Sequence, residues 1–330
     1  MASPPPSEIT VVGAGGIGCS LAHALATGGM DVRVVDINER KIRWGEENGI
    51  HVDDRPPARV HMESFESWTP AGGGIILLCT KCFDNEVVLQ RIGTDSHIIP
   101  VQNGFDMTLA ERCRFEGIAS YVSECIADKT HVHITRPGDL HIGPSGSGSN
   151  PPPPPGYQLV VDLLELHGAF TVRRVQSILP FKYTKLMYNA AIGPLAAVSG
   201  CDNSQLLTIP RARKLFFRFL RENHAILAHA QVPLGTIGPF HPDTVNRILR
   251  IPLLARVMAG SFARSLRNTY CSMSGDIEKG RTEIENFNGH LVTLASTLPC
   301  DLNRRSCALV TRMQSDRDTP SLARLDELVA

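Results

Sequence analysis

The stretch EITVVGAGGIGCSLAHALATGGMDVRVVD, residues 8–36, constrains the fold of this chain more than any other. A β-branched run at 8–12 reads as a short strand, and Gly13, Gly15 and Gly18 follow it in G-x-G-x-x-G spacing. An apolar helical pattern then continues through Ala26, and a second strand-like run occupies 32–35. Two strands joined through a helix are parallel neighbours, so the segment predicts a βαβ unit. In such a unit the first glycine permits the tight turn. The second lets a pyrophosphate approach the backbone, and the third lets helix and strand pack closely. The amides of the first helical turn then face the anion. Gly13, Ala14, Gly15, Gly16, Ile17 and Gly18 are therefore candidate cofactor-binding residues, the alternative being a purely structural glycine turn.

Asp36 closes the second strand. A carboxylate at that place accepts from both ribose hydroxyls of NAD and repels the 2′-phosphate of NADP. The expected cofactor is NAD (NADH), with NADP (NADPH) as the alternative. Asp36 could instead cap the following turn, and Arg40, Lys41 and Arg43 could pair a phosphate.

Further strand-like runs at 74–80 and 97–103 flank a helix-length segment, which extends the parallel sheet. Residues 120–143, broken at Arg136-Pro137-Gly138, read as antiparallel strands finishing that sheet. GPSGSGSNPPPPPG, 143–156, resembles a linker but precedes one more helix and strand, so it reads as a surface loop within the first domain. Near residue 176 the pattern becomes helical and stays so. The expected fold is α/β: a Rossmann-type doubly wound sheet over 1–176, followed by an all-α domain over 177–330.

Lys plus Arg and Asp plus Glu both number 33, and aromatics make up only 6% of residues. No basic surface for nucleic acid is indicated, and no apolar run is long enough to cross a membrane. The N-terminal MASPPPSE lacks the features of an export signal, so a cytoplasmic, soluble protein is expected. The nine cysteines lack framework spacing and read as reduced thiols. Cys79 and Cys82 form a lone C-x-x-C, and the histidines show no metal-ligand spacing, so no metal is expected. Apolar C-terminal helices such as IPLLARVMAGSFA could face a core or a second copy, which leaves a homodimer open.

Lys185 and Asn189 stand four positions apart in the apolar run FKYTKLMYNAAIGPLAAVSG, on one helix face. A solvated helix edge would account for both. That run, VVGAGGIG, LLCTKCFDNEVVLQRI with IIPVQNGF, and CSMSGDIEKGRTEIENFNGHLV occur in an order and spacing that resemble the ketopantoate reductase (2-dehydropantoate 2-reductase) family over nearly the whole chain. The resemblance implies a Rossmann domain joined to a helical one and a nicotinamide cofactor, usually NADPH in the family. It also implies reduction of a 2-oxo acid in the cleft between the domains. By the same resemblance Lys185 is the general acid and Asn189, Ser272 and Glu283 reach the substrate. Asn103 touches cofactor or substrate, and Lys81 lies near the adenosine side of the cofactor. Three departures stand out. Gly193 replaces a second asparagine of many members, the interval from Asp276 to Thr282 is one residue shorter, and Phe181 or Tyr183 replaces a tryptophan.

The chemistry asks for similar residues. Hydride transfer to a ketone leaves an alkoxide that must be protonated or electrostatically held as it forms, and a lysine can do both. Glu283, at an apparent helix start, is the carboxylate that could keep that lysine charged, or simply a first-turn glutamate. Ser272 and Asn103 are small donors suited to a carboxylate, while Asp276 reads as structural. The expected reaction is reduction of a small 2-oxo acid, most simply ketopantoate to pantoate. The alternatives are a related dehydrogenase for another 2-oxo acid and a nucleotide-binding regulator without catalysis.

Overall fold

Four β-branched or leucine-rich runs near the N-terminus form the centre of a parallel sheet, as a computed structural model describing residues 9–146, 152–267 and 269–329 shows. Two compact units make up the chain, Met1–Leu179 and Pro180–Ala330. The first runs β1 (Ile9–Val12), α1 (Gly16–Thr27), β2 (Val32–Asp36), α2 (Glu39–Asn48), β3 (His51–Val52), β4 (His61–Ser64), β5 (Ile75–Leu78), α3 (Asn85–Arg91), β6 (His97–Pro100), α4 (Met107–Ala110), β7 (Phe115–Ala119), β8 (Val122–Cys125), β9 (His131–Arg136), β10 (Asp139–Pro144), α5 (Tyr157–His167) and β11 (Thr171–Arg174). The five-stranded sheet has the order β4-β2-β1-β5-β6, all parallel.

Every residue of β1 and β5 is buried, as expected for central parallel strands covered on both faces. The pleat divides their side chains. Ile9, Val11, Val34, Ile75 and Leu77 pack with α1 and α5, while Val12, Val35, Ile76 and Leu78 pack with Trp68 and Val88 on the other face. A Rossmann-type unit is therefore present.

The antiparallel strands do not finish this sheet as expected. They form two three-stranded sheets instead, β11-β10-β7 and β3-β9-β8. Among the described residues, only a bridge from Val101 to Gly117 continues the main sheet toward β7. The chain divides at a close crossing: a Cβ on Gly138 would stand 2.6 Å from Tyr121 N, and Ser120 N donates to Asp139 O at 2.7 Å. That crossing pairs β7 with β10 and sends β8 to β9. Residues 147–151 of the proline and serine tract lie outside the described residues, and 152–156 lead directly into α5.

The second unit is helical: α6 (Leu179–Ser199), α7 (Asn203–Thr208), α8 (Pro210–His229), α9 (Pro242–Leu249), α10 (Pro252–Ala263), α11 (Ser272–Asp276), a π-helical turn (Glu285–Gly289), α12 (His290–Ala295) and α13 (Asp301–Asp316). Pro252 splits the long pattern over 241–266, because proline cannot continue a helix but suits the first position of a new one. On α10 the stripe Ala255, Ala259 and Ala263 is buried, whereas Leu253 is 75% and Val257 63% exposed. Its larger apolar side chains thus face away from the core of this unit.

Pro194 stands inside α6 without breaking it. Proline has no N–H to give the carbonyl four residues earlier. Asn288 of the π-helical turn supplies the missing donor, its Nδ2 meeting Ala190 O at 2.8 Å. Asn288 Nδ2 also reaches Asn303 Oδ1 at 2.9 Å, and Asn303 Nδ2 reaches Asn223 Oδ1 at 2.9 Å and Glu222 Oε1 at 2.8 Å. Asn223 returns to α6 at Met187 O, 2.9 Å away. Three fully buried asparagines therefore fasten α6 to α8, α13 and the π-helical turn.

Candidate active site

The glycine loop follows β1 and opens α1. Gly13 has φ +100°, and a Cβ there would stand 2.9 Å from the Cys79 carbonyl carbon. A Cβ on Gly18 would stand 1.9 Å from Gly13 O, so only glycine lets helix and strand approach this closely. Gly15 differs, because a Cβ there would meet nothing within 4 Å. Gly15 is also the N-cap residue of α1, and glycine has no side chain with which to cap the helix. Open space beside uncapped first-turn amides fits a phosphate, with Gly16 and Ile17 in the same turn. The residues present thus fit a dinucleotide.

Asp36 ends β2 beside this loop. Its Oδ2 accepts from Ala14 N at 2.7 Å and its Oδ1 from Asn38 N at 2.9 Å. Asn38 caps α2 by accepting from Arg40 N and Lys41 N. The cations nearby are engaged: Arg40 pairs with Asp128 at 3.3 Å, and Lys41 Nζ donates to Ala14 O at 2.9 Å.

Lys81 and Asn103 arrive at the same edge because β5 and β6 run parallel to β1. Four successive strands thus present Gly13, Asp36, Lys81 and Asn103 at their carboxyl ends. That end is where open α/β sheets bind ligands, at the point where β1 has β2 on one side and β5 on the other. A buried cluster sets the Asn103 loop. Gln102 Nε2 donates to Thr80 O at 2.8 Å and Asn85 Oδ1 at 2.7 Å, and Asn85 Nδ2 donates to Asp106 Oδ2 at 2.7 Å. Cys82 Sγ donates to Asn103 O at 3.0 Å, while burial pushes the Cys79 thiol up. The C-x-x-C therefore positions the Asn103 turn through Cys82.

The second unit carries the other candidates. Lys185 and Asn189 are half-buried on α6 between buried Thr184, Leu186 and Ala190. Thr184 Oγ1 anchors this end of the helix by donating to Gly235 O at 2.7 Å. Two contacts bring the later segments onto α6. Asn288 meets Ala190, and Met273 packs on Gly193, where a Cβ would stand 3.1 Å from Met273 Cε. Ser272 precedes Met273 in α11 and is exposed; Glu283 is buried just before the π-helical turn. Asp276 is buried and paired with Lys279 at 3.2 Å. Lys185, Asn189, Ser272 and Glu283 thus lie on segments packed together in one unit, and the glycine loop, Asp36, Lys81 and Asn103 lie in the other.

Sequence reasoning overlooked Ser123, whose backbone oxygen would lie 2.6 Å from a Cβ on Gly16, and His290, stacked on Tyr183 at 6.2 Å. Neither pairing leaves a periodic signal. Burial, with the Lys182 charge, pulls His290 down to about 4. An unfolded histidine takes up its proton near ~6.5, so the folded state binds fewer protons below that pH. The contribution of His290 to stability is present above about pH 6.5 and is lost as the pH falls toward 4. Melting temperatures between pH 7 and pH 4.5 should fall less steeply in His290→Gln than in the parent chain.

Among the described residues no helix is long and apolar enough to cross a membrane. A 2-dehydropantoate 2-reductase of Aquifex aeolicus is 25% identical over 301 residues, covering 87% of this chain and 90% of that protein. The solved structure of D-mandelate dehydrogenase with NADH and anilino(oxo)acetate superposes with a TM-score of 0.71 at 18% identity, covering 98% of this chain and all of that one. A dimeric ketopantoate reductase from Staphylococcus aureus gives 0.68 at 16% identity, covering 94% of this chain and 100% of that one. The latter two are likenesses of fold. The family model described as ketopantoate reductase PanE/ApbA matches residues 9–147, and its C-terminal model matches 177–314. With both halves matched in order, the chain belongs to the ketopantoate reductase family of nicotinamide-dependent oxidoreductases acting on CH–OH groups.

Proposed function

We propose that this protein reduces a 2-oxo acid to the 2-hydroxy acid with NADH, most simply 2-dehydropantoate to pantoate. The observation that carries the reading is the glycine loop with open space at Gly15 beside an uncapped helix start, in a chain that retains Lys185 and Asn189 on one face of α6. In this reading residues 1–176 hold the cofactor and residues 177–330 supply the substrate and catalytic groups. The bound nicotinamide supplies the hydride. Lys185 protonates the carbonyl oxygen as negative charge develops there, Glu283 favours the charged lysine, and Asn189, Ser272 and Asn103 donate to the substrate's polar oxygens. Oxidation of NADH in the presence of ketopantoate tests this; no turnover with any 2-oxo acid would leave the nucleotide-binding regulator as the better reading.

The preference for NADH rests on Asp36. Its carboxylate is fixed by Ala14 N and Asn38 N with lone pairs to spare, and Arg40 and Lys41 already have acceptors. Asp36→Asn should move the ratio of kcat/KM for NADPH over NADH upward by about tenfold, ~1.4 kcal/mol, by removing the charge that repels a 2′-phosphate. A higher kcat/KM for NADPH in the unaltered protein would remove this argument.

A second reading keeps the chemistry and changes the acid. The thioether of Met273 fills the space beside Gly193, so this turn of α6 offers an apolar wall rather than an amide. That favours an apolar substituent on the 2-oxo acid, and a relative of similar fold is a D-mandelate dehydrogenase. A panel of alkyl and aryl 2-oxo acids against ketopantoate decides, since a clear preference for ketopantoate eliminates this reading.

A second copy of the chain is the proposed occupant of the exposed α10 face, in keeping with the dimeric relative. Leu253→Asp should shift the protein toward monomer in size-exclusion chromatography with light scattering, without loss of helix content.

A further inference from the structure

We propose that Cys19 and Cys125 form a peroxide-responsive thiol pair, whose disulfide weakens nicotinamide cofactor binding at the glycine loop. Three side chains converge on the single carbonyl of Ala14. Cys19 Sγ, from α1, lies 3.3 Å from it; Cys125 Sγ, from the end of β8, lies 3.8 Å away; and Lys41 Nζ, from α2, lies 2.9 Å away. Ala14 is the residue whose N–H Asp36 holds at 2.7 Å, so the two thiols sit directly beneath the turn that would receive the pyrophosphate.

The two thiols share this one acceptor, Cys125 Sγ also donating to Lys129 O at 3.1 Å, and their environments differ in the direction that two-step oxidation requires. The neighbouring Cys19 thiol and the ammonium of Lys41 pull Cys125 down to about 7, whereas Cys19 is held well above the usual thiol range by the neighbouring Cys125 and by full burial. Cys125 is half-buried and reachable; Cys19 is enclosed. A thiolate is the nucleophile toward peroxide, so Cys125 is the residue attacked and Cys19 the one that resolves. By contrast, burial pushes the Cys79 thiol up and the Cys307 thiol up to about 12.

In the first step the Cys125 thiolate attacks one oxygen of hydrogen peroxide. An S–O bond forms, the O–O bond breaks and hydroxide leaves, so the sulfur is oxidised by two electrons and the peroxide reduced. In the second, Cys19 attacks the sulfenic sulfur; the S–S bond forms, the S–O bond breaks, and the oxygen departs as water with the Cys19 proton. The new bond takes the Cys19 donor from Ala14 O and ties the end of β8 to α1, which displaces the loop from the position that receives phosphate.

The consequence for the cofactor rests on the cofactor-site reading above; the disulfide itself does not. Full-length protein is treated with hydrogen peroxide, mapped by peptide mass spectrometry without reductant, and titrated with NADH by fluorescence. The expected results are a Cys19–Cys125 linked peptide and NADH affinity weaker by roughly fivefold or more, restored by dithiothreitol. In Cys125→Ser, and independently in Cys19→Ala, NADH affinity should no longer respond to peroxide. Absence of the linked peptide, linkage through another cysteine pair, or full linkage with unchanged NADH affinity would overturn the proposal. Failure of the cofactor reading shows separately, as untreated protein that binds neither NADH nor NADPH.

Discussion

Lys185→Ala should lower kcat with the preferred 2-oxo acid by roughly 10²- to 10⁴-fold, the usual contribution of a positioned general acid, while NADH still binds. The split follows from where the groups lie. The glycine loop, Asp36 and Lys81 belong to the first unit, whereas Lys185 projects from α6 of the second. Lys185→Arg separates the two tasks assigned to the lysine, because arginine keeps a charge that can stabilise a developing alkoxide but does not give up its proton. It should recover only part of the lost rate. The alkaline limb of the kcat profile should also change in Lys185→Arg, since that limb reports the proton donor in the complex. Unchanged kcat in Lys185→Ala would remove the lysine from the reaction.

What was legible in the sequence was local. The β1–α1–β2 unit announces itself because strand, glycine turn and helix are contiguous, and its physical demands fall on Gly13 and Gly18, where a Cβ would collide with Cys79 and Gly13. That Lys185 and Asn189 share one face of a helix was legible for the same reason, through their spacing of four. What depended on distant pairing was not. β8 and β9 alternate weakly, and β3, which pairs with β9, has only two residues, so nothing local assigns them to a sheet of their own. Cys125 reaches Ala14 across 111 positions and Asn288 reaches Ala190 across 98. Pro194 did leave a signal, an acceptor without its helical donor, but the sequence does not say which side chain fills that need.

Asn288→Leu should cost roughly 2 to 6 kcal/mol of stability, because it strips the donor from two buried acceptors, Ala190 O and Asn303 Oδ1, at about 1–3 kcal/mol each. The effect should reach catalysis as well, since the same contact holds the segment following Glu283 against the helix that carries Lys185. Loss of stability alone would not show that Pro194 is the reason Asn288 is needed, because any buried asparagine is costly to remove. A double-mutant cycle isolates the cause. Pro194→Ala gives residue 194 an N–H, which can close the helical bond to Ala190 O. In that background Asn288→Leu leaves only Asn303 Oδ1 unpaired and should cost less, by about 1–2 kcal/mol, than it does beside the proline. Chemical denaturation of the four proteins measures the coupling. Strictly additive effects would mean that Ala190 O finds another donor, and that Asn288 matters to α6 only through its bond to Asn303.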